Sequence, residues 1–362
     1  MVQSFPKLLN KPRKIFFAVI VVLILSLLVN AIIAFLLDFE SLQSAFKQIR
    51  LIHIIIPFII YTTIYFIDAL RLKLVLHQFG YRIKFLDASI NGLLGYFFAY
   101  LTPMATGGQP FQIFHLKNLG VDSKTSTNII ASRFVEYISS SLLISLLFIG
   151  PIIPFLKASG ADTSFILIGF IASTILSIMF IILFIRPDWI GNILARMETS
   201  SLGHLIGRLI KNQAWGHHAR QWALDLKESI YFLWKKRLGI VCLDVFLCIL
   251  ILGLQVFSLV WLLLMFGCIN LNFFQIFVVI LLLNLVIYYI PTPGASGGIE
   301  SIFTLVLGYL TDNLQLSFLA VVIWRFATYY LQIAFGLVVF FILRRRGLFK
   351  PVIPSLDQST WQ

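Results

Sequence analysis

The chain is patterned in long apolar blocks separated by polar joints. The first block runs from Ile15 to Leu37, and others cover roughly 51–76, 87–103, 125–150, 164–185, 238–266, 273–290, 299–310 and 317–343. A helix needs about 20 apolar residues to cross the hydrocarbon core of a bilayer. Six blocks are long enough: 15–37, 51–76, 125–150, 164–185, 238–266 and 317–343. Two regions remain, 87–118 and 273–310, and each reads as an apolar arm, a Pro/Gly break and a second arm too short to span alone. They predict re-entrant hairpins, because broken backbone is tolerated at membrane depth only where protein buries it or it lines a watery cavity. The expected fold class is an all-α polytopic membrane protein of about six full spans and two re-entrant broken-helix hairpins.

Composition agrees with this pattern. Hydrophobic residues make up 59% and charged residues only 12%, against about 25% charged in a soluble domain, and mean hydropathy is +0.95. A soluble globular protein is excluded. The net charge of +13 is a topology signal. Residues 1–14 carry Lys7, Lys11, Arg13 and Lys14, residues 344–350 carry Arg344, Arg345, Arg346 and Lys350, and 186–237 is rich in Lys and Arg. By the positive-inside rule these parts, both termini included, are cytoplasmic. The joints 38–50 and 151–163 are balanced in charge and face outward. Nucleic acid is therefore not an expected partner. No small-residue cleavage site follows the first block, so it reads as a retained helix and not a signal peptide. Cys242, Cys248 and Cys268 lack CxxC spacing and clustered His, so neither disulfide nor metal is expected. The chain reads as one membrane domain: first span 15–37, repeat one 51–185, cytoplasmic segment 186–237, repeat two 238–343 and tail 344–362.

The two hairpins are related. Thr102-Pro103-Met104-Ala105-Thr106-Gly107-Gly108 matches Thr292-Pro293-Gly294-Ala295-Ser296-Gly297-Gly298, and downstream Arg133-Phe134-x-x-Tyr137 recurs as Arg325-Phe326-x-x-Tyr329. Asn91 and Asn284 precede the two breaks. The first hairpin follows basic Arg82 and Lys84 and enters from the cytoplasm, whereas the second follows the uncharged 267–272 turn and enters from outside. The repeats are thus expected to be inverted, a transporter design in which a midplane site is exposed alternately to each side.

Intramembrane charges cost about 2.5–3.5 kcal/mol each at a helix centre on insertion scales and mark function by default. Arg133, Glu136, Glu300 and Arg325 are the candidates, joined by Gln109 at the first break and by the motif tyrosines Tyr137 and Tyr329. Two readings stand side by side. In one, the arginines hold a lipid phosphate while the acids balance them, meet a cationic headgroup or exchange a proton. In the other, Arg133/Glu136 and Arg325/Glu300 are ion pairs that lock hairpins to spans. The break residues Pro103, Gly107, Gly108, Pro293, Gly297 and Gly298 either make the bend alone or also aim the helix N-termini near Gln109 and Ile299 at an anion. Asp68 and Arg71 read as an interfacial pair or a gate, and His115 as an interfacial residue. Residues 203–236, with Trp215, Trp222 and Trp234 among His and Lys, suit an amphipathic helix on the cytoplasmic leaflet.

The pattern Asn91…Pro103-x-x-x-Gly107-Gly108…Arg133-x-x-Glu136, with Pro293-Gly294-x-x-Gly297-Gly298-x-Glu300…Arg325, resembles the transmembrane region of lysylphosphatidylglycerol synthases. This is the flippase-like domain of the multiple peptide resistance factors, and the resemblance covers roughly 15–345. It implies movement of an aminoacylated phospholipid between leaflets of a bacterial plasma membrane, with membrane phospholipids as partners and no cofactor. The synthase domain of the bifunctional members is not expected here, since the chain ends at Gln362, about 20 residues past the last span. The resemblance therefore does not imply an enzyme, and a separately encoded synthase or glycosyltransferase is the expected protein partner. A lipid flippase is the leading expectation. The alternatives are the membrane subunit of a lipid-modifying transferase and a small-solute transporter. The second break has Gly294 where the first has Met104, so the halves need not bind equally.

Overall fold

The structure is a computed structural model that describes residues 12–37, 39–158, 163–200, 214–267, 273–287 and 290–346. The basic residues Lys7 and Lys11, the segment 201–213, Cys268 and the tail 347–362 lie outside the described residues. The described chain is all-α, and its β-type pairing is one isolated bridge. Among the described residues six helices are long and apolar enough to cross a membrane: α1 (Pro12–Leu36), α3 (Leu51–Gln78), α6 (Ser123–Ala158), α7 (Thr163–Ile185), α10 (Leu238–Met265) and α13 (Leu314–Arg345). They coincide with the six blocks of sufficient length. Between α1 and α3 lies the short α2 (Phe39–Phe46).

The two remaining regions are broken helices. Helices α4 (Phe85–Tyr100) and α5 (Gly108–Asn118) flank the first break, and α11 (Phe273–Ile287) and α12 (Ile299–Thr311) flank the second. Close approach of α4 and α5 depends on glycine, because a Cβ on Gly108 would sit 2.7 Å from the Gly95 carbonyl oxygen. Asn91 ties the pair from its side chain, with Nδ2 donating to the Gln112 carbonyl at 2.9 Å and lying 3.2 Å from Nδ1 of His115. His115 is thus buried between the two arms and stacks on Phe111. This corrects the interfacial expectation: the arms pack too closely to leave the ring at the water boundary.

Each broken helix packs on spans from the other half of the chain. The first shares a hydrophobic cluster with α1 and α13, in which Phe97 and Phe98 of α4 meet Phe340 and Phe111 of α5 stacks on Phe98. Gly336 makes this possible, since a Cβ there would meet the Phe97 ring at 2.7 Å. The second hairpin packs through α11 on α6 and α7, and a Cβ on Gly169 would lie 2.8 Å from Val286. Small residues at such crossings are what membrane helices use to bring backbones together. The opposite faces of the spans remain apolar and exposed, as at Phe17 and Leu27 of α1, Ile168 and Ile175 of α7 and Phe246 of α10. In a bilayer those faces meet acyl chains.

The described parts of the polar 186–237 stretch form two helices, and residues 203–213 of the amphipathic helix expected over 203–236 lie outside the described residues. Helix α8 (Pro187–Glu198) packs on α9 (Trp215–Tyr231), which continues through a π turn, Phe232–Lys236, toward α10. The apolar stripe of Ala223, Leu226, Ile230 and Leu233 is buried because α8 and α6 cover it. Lys227 bonds Asp188 at 3.0 Å and holds that carboxyl below the usual range. Ser229 accepts a bond from Asn128 of α6 at 2.8 Å, and the Trp234 indole donates to Ser132 at 3.1 Å.

Candidate functional site

Both breaks have the same local backbone. Met104 and Ala105 have φ of 52° and 54°, and their counterparts Gly294 and Ala295 have φ of 59° and 52°. A left-handed non-glycine residue costs roughly 1–3 kcal/mol and persists where its surroundings over-determine it. Here each loop is closed by its own side chains. Thr102 Oγ1 accepts the Gly107 N–H at 2.8 Å while donating to the Phe98 carbonyl at 2.9 Å. At the second break Glu300 Oε2 accepts the Gly297 N–H at 2.8 Å. That acceptor occupies the place an incoming anion would take, so the expected anion pocket at this helix N-terminus is filled by the protein itself. The breaks also meet, with Pro103 and Pro293 forming an isolated antiparallel bridge.

Arg325 locks the second break. Its Nε donates to Glu300 Oε1 at 3.0 Å, its Nη2 donates to the Gly294 carbonyl at 3.1 Å, and the guanidinium lies 3.7 Å from the centroid of the Tyr329 ring. A π turn, Phe326–Tyr330, follows directly and accompanies the placing of Tyr329 against the loop, where its hydroxyl is 3.1 Å from Ser296 Oγ. Gly294 is required there, because a Cβ would collide with the Tyr329 ring. The acid is held from α1 as well: Ser26 Oγ donates to Glu300 Oε1 at 3.1 Å and lies 2.6 Å from the Tyr330 hydroxyl. Glu300 and Arg325 are 0% and 3% exposed.

The arginine of the matching Arg-Phe-x-x-Tyr motif has a different environment. Arg133 does not pair with Glu136, three residues along the same helix. Its Nη2 donates to both the carboxylate and the carbonyl of Asp68 on α3. Glu136 accepts instead from Arg71 Nη2 at 2.8 Å, and Arg71 Nε donates to Asp244 of α10 at 2.6 Å. Asp68 and Arg71 are 6% and 4% exposed, so they are neither interfacial nor merely paired with one another; their mutual approach is 3.8 Å. Five charged side chains from α3, α6 and α10 form one buried network. Among the described residues, Arg133 Nε has no hydrogen-bond partner although it is buried.

A cavity of about 320 Å³ lies between this network and the two breaks. Asp68, Arg71 and Arg133 line it from one side and Arg325 from the other. The breaks contribute Met104, Ala105, Gly108, Gly294 and Ala295. Amide side chains enter from Gln109, Gln112, Gln255 and Asn284, and the rings of Tyr61, Tyr65, Tyr96, Tyr100, Tyr137 and Trp324 complete the wall. Small-molecule pockets span about 300–1,000 Å³, so the space suits a small polar group.

Among the expected site residues, Gln109, Arg133, Tyr137 and Arg325 reach this cavity, together with Gly108 and Asn284 of the breaks. Glu136, Glu300 and Tyr329 stand behind it as partners of the arginines, and Asn91, Pro103, Gly107, Pro293, Gly297 and Gly298 shape the hairpins. Sequence reasoning missed Asp244, Ser26 and the tyrosines of α3 and α4. Asp244 was legible, because it is a lone acid two turns into an apolar span and the rule applied to Glu136 covers it. Ser26 and the tyrosines carry no such signal, since hydroxyls and rings are ordinary in membrane helices.

Residues 18–336 match the family described as the lysylphosphatidylglycerol synthase TM region. The chain is also similar to a UPF0104 membrane protein of Archaeoglobus fulgidus, at 26% identity over 325 residues that cover 87% of this chain and 93% of that protein. No solved structure matches it.

Proposed function

The chain belongs to the lysylphosphatidylglycerol synthase TM region family, and from that premise we propose that it is a flippase that moves a phospholipid or lipid-linked headgroup between leaflets. The headgroup enters the cavity between the two breaks while the acyl chains stay in lipid. The hairpins enter from opposite sides and open the cavity alternately to each face. The protein works in a bacterial plasma membrane with both termini in the cytoplasm, beside a separately encoded synthase or glycosyltransferase that makes its lipid.

One observation carries this reading: Arg133, nine-tenths buried, lines the cavity with its Nε unpartnered. A buried donor without a partner costs about 1–3 kcal/mol, and a phosphate oxygen is the acceptor that suits a guanidinium. The amides of Gln109 and Asn284 add neutral donors for the rest of a headgroup.

The test is a leaflet-specific assay in proteoliposomes with trace labelled phosphatidylglycerol and aminoacylated phosphatidylglycerol. Active protein is expected to speed exchange of at least one of them. Arg133→Lys keeps the charge but loses the planar fork, and should slow exchange about 10- to 100-fold, the equivalent of the roughly 1.5–3 kcal/mol of a hydrogen bond to a charged group. Unchanged transbilayer distribution across both lipids overturns the proposal, and a new lipid species on mass analysis points to a transferase instead.

A further inference from the structure

The five-residue network has an unequal count of charge. Asp68, Glu136 and Asp244 supply three carboxylates against the two guanidiniums of Arg71 and Arg133. All five are at most 9% exposed. An uncompensated buried carboxylate is expensive enough that such a group neutralises in place of staying charged. The surplus has an address. Asp68 has the Arg133 guanidinium to itself, whereas Glu136 and Asp244 share the single guanidinium of Arg71 through Nη2 and Nε. Two carboxylates on one cation are the arrangement in which a proton belongs to the pair and not to either member.

We propose that the Glu136–Asp244 pair holds one exchangeable proton, bound in linkage with an anionic headgroup phosphate at Arg133, so that the protein moves its lipid together with a proton. The inference rests on the cavity being the headgroup site.

The physical link is short. Arg133 joins the pair through Asp68 and Arg71, and the same three residues line the cavity. A phosphate arriving at Arg133 adds negative charge to a network already rich in it, so the phosphate-bound state favours the protonated pair. By reciprocity the protonated pair favours phosphate to the same extent. The proton enters onto a carboxylate oxygen of the pair from water on one side and leaves to water on the other. No other bond changes.

Among the described residues, the other titratable groups around the network are a thiol and phenols, whose ordinary pKa values lie above neutral pH. Helix α10 adds the Cys248 thiol, α6 adds the Tyr137 hydroxyl, and α3 and α4 add Tyr65 and Tyr96 near Asp68. Helix α5 turns His115 toward Asn91, and α9 meets α6 through Ser229. The described parts of α7 and α11 carry no titratable residue. Glu300, by contrast, has Arg325 to itself and is not a second surplus.

The test reads protonation directly, by the infrared C=O stretch of a protonated carboxyl, on the full chain in nanodiscs of zwitterionic lipid. A signal is expected near neutral pH. Glu136→Gln and Asp244→Asn should each remove it, because either change leaves two carboxylates for two guanidiniums, and Asp87→Asn, outside the network, should keep it. Adding phosphatidylglycerol should move the titration to higher pH in the wild type and not in Arg133→Gln. In proteoliposomes, a difference of one pH unit should bias trace labelled phosphatidylglycerol about tenfold toward one leaflet for one-to-one coupling. No carboxyl signal, a signal that survives both variants, or a titration that phosphatidylglycerol does not move overturns the coupling. Lipid exchange that ignores the pH gradient does so too and leaves the flippase reading standing. A titration that does respond to phosphatidylglycerol, in a protein that exchanges no lipid, supports the linked site and overturns the flippase reading.

Discussion

Arg133 and Arg325 occupy the same place in two related segments and have different neighbours. Arg325 bonds Glu300 and the Gly294 carbonyl and stacks on Tyr329, while Arg133 bonds only Asp68 and leaves Nε unpartnered beside the cavity. The two loops differ where these contacts are made. Glycine at 294 admits the Tyr329 ring, whereas Met104 stands at the matching position and Tyr137 lines the cavity, and Pro110 stands where the second loop has Glu300. Breaking a buried ion pair by removing one partner costs about 3–5 kcal/mol, so Arg325→Ala is expected to destabilise by about that much. Thermal unfolding in detergent would show it as a large fall in midpoint, with Arg133→Lys nearly unchanged. Gly294→Met should act like Arg325→Ala, because it evicts Tyr329 and with it the stack. Equal stability of Gly294→Met and wild type would contradict this account.

At the scale of elements, the two breaks are one structure. Their loops share successive left-handed residues, and Pro103 pairs with Pro293 across the molecule. Antiparallel partners have Cα atoms about 4.5–5.5 Å apart, inside the range of about 4.4–6.8 Å that a disulfide spans. In a cysteine-free background, Pro103→Cys with Pro293→Cys should therefore cross-link on oxidation. If the hairpin tips separate during transport, the cross-linked protein should stop exchanging lipid and recover on reduction, whereas each single variant should remain active. Full exchange by the cross-linked form would mean that the tips stay together. The repeated T-P-x-A-[ST]-G-G motif made the relation between the loops legible, but not their contact. A residue pattern says what each loop does locally, while contact depends on how the arms are carried.

For the whole molecule, the arms are exchanged between the two halves of the chain: the first broken helix packs on α13, and the second on α6 and α7. Movement is therefore expected within the hairpins against a shared frame of spans, and less as the rocking of two separate halves. Orientation is a further prediction at this scale. With the 151–163 joint outside, Lys157→Cys should react with an impermeant maleimide added to intact cells, and Arg346→Cys only after the membrane is opened; the reverse labelling would invert the topology. Sequence alone determined the all-α class, the six spans and the breaks, because the bilayer imposes length and apolarity on each span locally, without reference to any other. It also marked Arg133, Glu136, Glu300 and Arg325, because an intramembrane charge is costly wherever it sits. Only the tertiary structure decided who pairs with whom. The partners Asp68, Arg71 and Asp244 come from other helices, and the packing of α3, α6 and α10 on one another brings them within hydrogen-bond reach. A pairing between distant segments depends on packing in three dimensions, and no local rule along the chain contains it.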